Sequence, residues 1–90
     1  MAELDGGWKV ERVSGFLPPL VGVRKEIEGS RGRTTVGPIR APFDVVGREL
    51  RYTGPFTGFV DVLEPDGSDW EGRALYRGRE YGRFRLTPSG

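Results

Sequence analysis

The sequence contains neither cysteine nor histidine. Without cysteine there are no disulfides and no thiolate chemistry, which suits a reducing compartment, so a cytoplasmic location is expected. Without either residue the usual nucleophile–base pairs and the common zinc, copper and haem ligands are missing too. No cofactor and no metal are expected, and the chain is not expected to be an enzyme. A hydrolase would have to run on carboxylates alone. Asp44, Asp61, Glu64 and Glu80 stand closest to the expected apolar faces, where a solvated or ion-paired carboxylate is the ordinary occupant. Asp66 and Asp69 in EPDGSD lack the further oxygen ligands and closing glutamate of a calcium loop, and read as a turn.

Long apolar runs are absent as well. No stretch approaches the roughly 18 apolar residues of a membrane helix, and MAELDGG at the N-terminus has no basic segment leading into an apolar one. Neither secretion nor a membrane is expected. Charge of one sign is also lacking: 14 basic and 13 acidic residues leave a net charge of +1, too balanced for the broad field of a sequence-independent phosphate binder. Nucleic acid is therefore not the leading partner. Fifteen glycines and 7 prolines interrupt every window that could hold a helix of more than about three turns, and none of the glycines forms a phosphate loop ahead of a helix.

What remains is alternation. Gly7 to Ser14, Val21 to Glu28, Arg33 to Gly37, Pro42 to Val46, Glu49 to Thr53, Thr57 to Leu63, and two segments carrying Trp70 to Tyr76 and Gly82 to Leu86 read as short strands separated by turn residues. About eight strands at this spacing predict an all-β protein without substantial helix: a single antiparallel meander closed into a small barrel over 1–90, with 1–5 and 87–90 as loose ends. Its interior is expected to hold Val21, Val23, Ile27, Val36, Phe43, Val45, Leu50, Tyr52, Trp70, Tyr76 and Phe84, with Gly72, Ala74 and Gly82 leaving room. The sixth strand sets Phe59 and Leu63 opposite Val60 and Val62, so its pattern does not orient it. The proline-stiffened Phe16 to Leu20, FLPPL, is expected to cap one mouth.

Gly6-Gly7-Trp8, opening the first strand of a chain with this meander order, resembles the glycine, any residue, tryptophan motif of lipocalins and related calycin barrels. The resemblance implies that Trp8 plugs the closed end of the barrel and that a basic residue of the last strand, Arg83 or Arg85, packs over it. It also implies that FLPPL corresponds to the long first loop over the open end. This chain is shorter than lipocalins and has neither their C-terminal helix nor their disulfide.

The leading functional expectation is a barrel that binds a small hydrophobic or carboxylate-bearing ligand, with Arg12, Val23, Lys25, Phe43, Tyr52, Trp70, Tyr76 and Phe84 around it. Arg12 and Lys25 lie on otherwise apolar faces and, with Tyr52 or Tyr76, could receive a carboxylate. The competing reading has both at strand ends reaching water, or paired with Asp61 or Glu80. A structural or homodimeric module is the alternative, motivated by the two-faced sixth strand with outward Leu75 and Tyr81. A single-stranded nucleic-acid barrel ranks behind it. That idea rests on Tyr81 interleaved with Arg77, Arg79, Arg83 and Arg85, against which stands a solvated arginine face answered by Glu64, Glu71 and Glu80.

Overall fold

The structure, a computed structural model, describes residues 3–15 and 21–89. Eight strands follow in chain order: β1 (Gly6–Gly15), β2 (Arg24–Glu28), β3 (Arg31–Val36), β4 (Ile39–Val46), β5 (Glu49–Tyr52), β6 (Phe59–Asp66), β7 (Asp69–Tyr76) and β8 (Arg79–Pro88). Each pairs antiparallel with the next, and β8 returns to β1, so the meander closes into a barrel as the strand spacing predicts. Among the described strands, closure leaves no unpaired edge.

Local chemistry explains the tight connections. Two-residue turns at 29–30, 37–38, 47–48 and 67–68 each begin with a glycine at positive φ, between 54° and 63°. That is the backbone of the hairpin turn whose twist matches its strands. The turn at 77–78 instead places Arg77 at φ 49° ahead of Gly78 at φ 84°. Between β5 and β6 the link is longer and includes a 3-10 turn, Gly54–Phe56, closed by the Thr57 hydroxyl donating to the Gly54 carbonyl at 2.8 Å.

Up-and-down order gives the barrel two distinct ends. One holds the start of β1, the turns at 29–30, 47–48 and 67–68, and the end of β8; its interior is filled by Leu4, Trp8, Ile27, Leu50, Leu63, Trp70 and Leu86, all buried. Of the terminal segments, residues 3–5 and 87–89 are described and are held there. Leu4 is only 1% exposed, its carbonyl accepts the Trp8 indole N–H at 3.0 Å, and Asp5 Oδ1 accepts the Gly29 N–H at 2.8 Å. At the other terminus β8 runs through Thr87 to Pro88, and the Ser89 N–H donates to the Gly7 carbonyl at 3.0 Å. Burying one apolar side chain and pairing the adjacent backbone outweighs the entropy that frays most termini.

Two further expectations change. The second strand starts at Arg24, because Gly22 at φ 79° turns the chain first, and Val21 is 89% exposed outside the barrel. The sixth strand is oriented by its register: Asp61 stands opposite Ala74 and Leu63 opposite Gly72, so Phe59, Asp61 and Leu63 face inward. Val60 and Val62 therefore face out, Val60 beside Leu75 on β7. The expected cap Phe16 to Leu20 lies outside the described residues.

Candidate functional site

Halfway along the barrel the apolar filling stops at a layer of polar side chains. Lys25 on β2 and Thr34 on β3 stand opposite each other in register and reach in from one wall, while Tyr52 on β5 and Asp61 on β6 reach in from the other. Lys25 Nζ donates to Thr34 Oγ1 at 2.7 Å and to the Tyr52 hydroxyl at 2.6 Å, and lies 3.0 Å from Asp61 Oδ2. Tyr52 donates to the same Oδ2 at 3.1 Å, and its oxygen lies 2.5 Å from Thr34 Oγ1. Lys25 and Asp61 are 3% and 5% exposed, so this is a buried ion pair, the arrangement in which close hydrogen bonding must offset a large desolvation cost.

Aromatic faces complete the lysine's surroundings. Its Nζ lies 5.3 to 5.6 Å from the ring centroids of Phe43, Tyr52 and Phe84. Burial alone would push the ammonium towards its neutral form, but the Asp61 carboxylate and the Tyr52 oxygen more than reverse this and hold the lysine charged above its ordinary range. Burial also raises the Tyr52 phenol, partly opposed by Lys25. A protonated lysine of this kind is no nucleophile, and the layer acts as a fixed, net-neutral dipolar floor.

Above that floor, in the half of the barrel away from Trp8, lies a pocket of about 400 Å³. Val10, Val23, Val36, Phe56, Phe59, Ala74 and Phe84 form its apolar wall, and Lys25, Thr34, Tyr52, Asp61 and Tyr81 supply its polar atoms. Room comes from Ala74, which gives the wall only a methyl group. It does not come from Gly72, because the Phe84 ring packs against that backbone where a Cβ would stand. Depressions of about 840 and 570 Å³ occur elsewhere, mostly among exposed charged residues of β2, β3 and the outer face of β1.

Tyr81 reaches the pocket through a bulge. Ala74 pairs with Gly82 but Leu75 pairs with Glu80, which leaves Tyr81 as an extra residue on β8 and turns its side chain inward. Strict alternation had placed it outside. Its ring meets Phe59 edge-on at 6.0 Å, and burial together with the nearby Asp61 charge pushes its phenol up to about 12.

Of the residues expected at the site, Val23, Lys25, Tyr52 and Phe84 line the pocket. Phe43 packs below it, edge-on to Tyr52 at 5.3 Å. Trp70 belongs to the filled end instead. Tyr76 lies at the rim, 39% exposed, against Phe59 at 4.6 Å. Arg12, opposite Phe84 in register, is exposed where β1 bulges before Ser14 and donates to the Gly15 carbonyl at 2.9 Å, so it does not reach the floor.

Gly6 opens β1 and Trp8 is buried at the filled end, but Arg83 and Arg85 do not cover it. Both face outward in register with Glu71, Arg73 and Glu11. Arg83 pairs with Glu80 at 3.3 Å and Arg85 with Asp66 at 2.9 Å. Among the described residues, the basic group that lies over a tryptophan is Arg48, from the turn at 47–48, 5.5 Å from the Trp70 ring and bonded to Glu3 at 2.8 Å. Asp61 and Tyr81, with Val10, Thr34, Phe56 and Phe59, line the pocket without having been expected there from the sequence. For Asp61 a signal exists, since it sits between Phe59 and Leu63 at period two.

No family model, no curated protein and no solved structure matches this chain.

Proposed function

We propose that the protein binds a small, largely apolar molecule inside its barrel, and that it acts by carrying or sensing that molecule rather than transforming it. The supporting observation is the half-filled interior: one end is packed with large apolar side chains, while the other keeps a pocket of about 400 Å³ with an apolar wall over a buried polar floor. That volume lies in the ordinary range for small-ligand sites, where a mostly apolar lining gives affinity and a few fixed polar groups give orientation. An eight-stranded barrel is the size at which an interior can be wholly filled or can hold one ligand. The lipocalin resemblance points the same way, with Trp8 at the end opposite the pocket, although no basic residue of β8 covers it.

The surface lends less to the alternatives. Tyr81, the aromatic needed for base stacking, is turned into the pocket, and Arg83 and Arg85 are ion-paired on the outer face.

A neutral solvatochromic dye titrated into the protein tests the reading, alongside Ala74→Phe, which places a ring where the wall has only a methyl group. Saturable one-to-one binding that is lost in a folded Ala74→Phe protein is expected. No saturable binding, or binding indifferent to the substitution, would refute it.

A further inference from the structure

The polar atoms of the floor are not equally available to a ligand, and this asymmetry assigns ligand chemistry. An ammonium has three N–H donors, and those of Lys25 are directed to Thr34, Tyr52 and Asp61. The Tyr52 proton goes to Asp61 Oδ2, and the Thr34 hydroxyl is held between Lys25 and Tyr52. Asp61 uses only Oδ2 in these bonds; its Oδ1 accepts none from the described residues, although Asp61 lines the pocket. Tyr81 also lines the pocket, and its hydroxyl makes no hydrogen bond to the described residues. A ligand therefore meets one open acceptor on a carboxylate and one hydroxyl able to donate or accept.

Charge sharpens the choice. Lys25 and Asp61 already neutralise each other at 3.0 Å in a buried setting. A carboxylate brought to this floor would find no ammonium N–H left to receive it and would stand beside the Asp61 charge. A cation would stand beside Lys25. Either ion would lose its hydration without gaining a countercharge.

We infer that the ligand is electrically neutral and presents a hydroxyl or amide N–H to Asp61, with Tyr81 as second partner, its remainder lying along the apolar wall. This rests on the binding function proposed above and replaces the carboxylate expected from Arg12 and Lys25. It also gives the ion pair a role: the lysine holds the acceptor carboxylate in place, as a positioning residue, and does not itself grip the ligand.

A matched series tests it: a medium-chain primary alcohol, its methyl ether and the carboxylate of equal length, each displacing the neutral dye at neutral pH. The alcohol is expected to bind about tenfold tighter than the ether, which keeps the oxygen but lacks the donor, and at least about tenfold tighter than the carboxylate, as hydrogen bonds to a charged acceptor lead one to expect. Tyr81→Phe should weaken the alcohol by about three- to tenfold, and Asp61→Asn, which frees the Lys25 charge, should move preference towards the carboxylate. Equal affinity across the series, or a carboxylate that binds tightest to the unaltered protein, would overturn the assignment while leaving the pocket occupied. Failure of the dye and of every probe to bind would instead remove the binding function itself. If Asp61→Asn does not fold, the alcohol-to-ether ratio and Tyr81→Phe decide the matter.

Discussion

Replacing Lys25 by methionine removes the ammonium while keeping a flexible chain of similar length. The change leaves the Asp61 carboxylate 5% exposed in an interior with no countercharge, and removes three interactions of 2.6, 2.7 and 3.0 Å. Stranding one partner of a buried pair costs about 3 to 5 kcal/mol. Against a total stability of roughly 5 to 13 kcal/mol for a chain of this length, that is a large fraction. At about 4 to 8 °C per kcal/mol for so small a domain, the midpoint should fall by roughly 12 to 40 °C. Urea titrations followed by the fluorescence of Trp8 and Trp70, both buried, report the loss directly. The double substitution Lys25→Met with Asp61→Leu should cost less than the two single losses added together, with a coupling of about 2 kcal/mol or more, because no charge is left stranded. A single loss under about 1 kcal/mol, or losses that simply add, would refute the account of the floor.

Stability should fall as pH rises above the ordinary tyrosine and lysine values of 10.0 and 10.5. Lys25, Tyr52 and Tyr81 all hold their protons more tightly when folded, so from there upward the unfolded chain binds fewer protons and is favoured. Thermal midpoints measured from neutral to strongly alkaline pH check the direction, and Tyr81→Phe should make the fall shallower. Gly72→Ala should destabilise by about 1 to 3 kcal/mol in urea, since its methyl group would occupy the place of the Phe84 ring. Arg77→Asn should stabilise by up to about 1 kcal/mol in the same assay, because asparagine tolerates the left-handed backbone that Arg77 adopts at φ 49°.

The strand order was legible because its determinants are local. Glycines at 29, 37, 47 and 67 turn the chain, and period-two alternation in β7 and β8 states which face is buried. The site was only partly legible because it depends on pairs distant in sequence. Lys25 on an apolar face signalled a buried cation, and pairing with Asp61 was one of the outcomes weighed. The period-two place of Asp61 between Phe59 and Leu63 did not decide the matter alone, because Val60 and Val62 make the opposite face apolar too; Glu80, the other candidate, bonds Arg83 on the outer face. The bulge that turns Tyr81 inward is invisible to alternation, because one added residue reverses the sidedness of everything beyond it. Arg12 misled for a related reason: it stands opposite the inward Phe84 in register, but β1 bulges between Arg12 and Ser14 and its guanidinium bonds the Gly15 carbonyl.

The most direct measurement is a two-dimensional amide NMR titration of the isotopically labelled protein with the medium-chain alcohol. Saturable shifts at Val23, Val36, Phe56, Ala74 and Tyr81, with Trp8, Leu63 and Trp70 unmoved, are expected of a neutral ligand seated above the Lys25–Asp61 floor. Shifts confined to the outer faces of β2 and β3, or none at saturating alcohol, would contradict it.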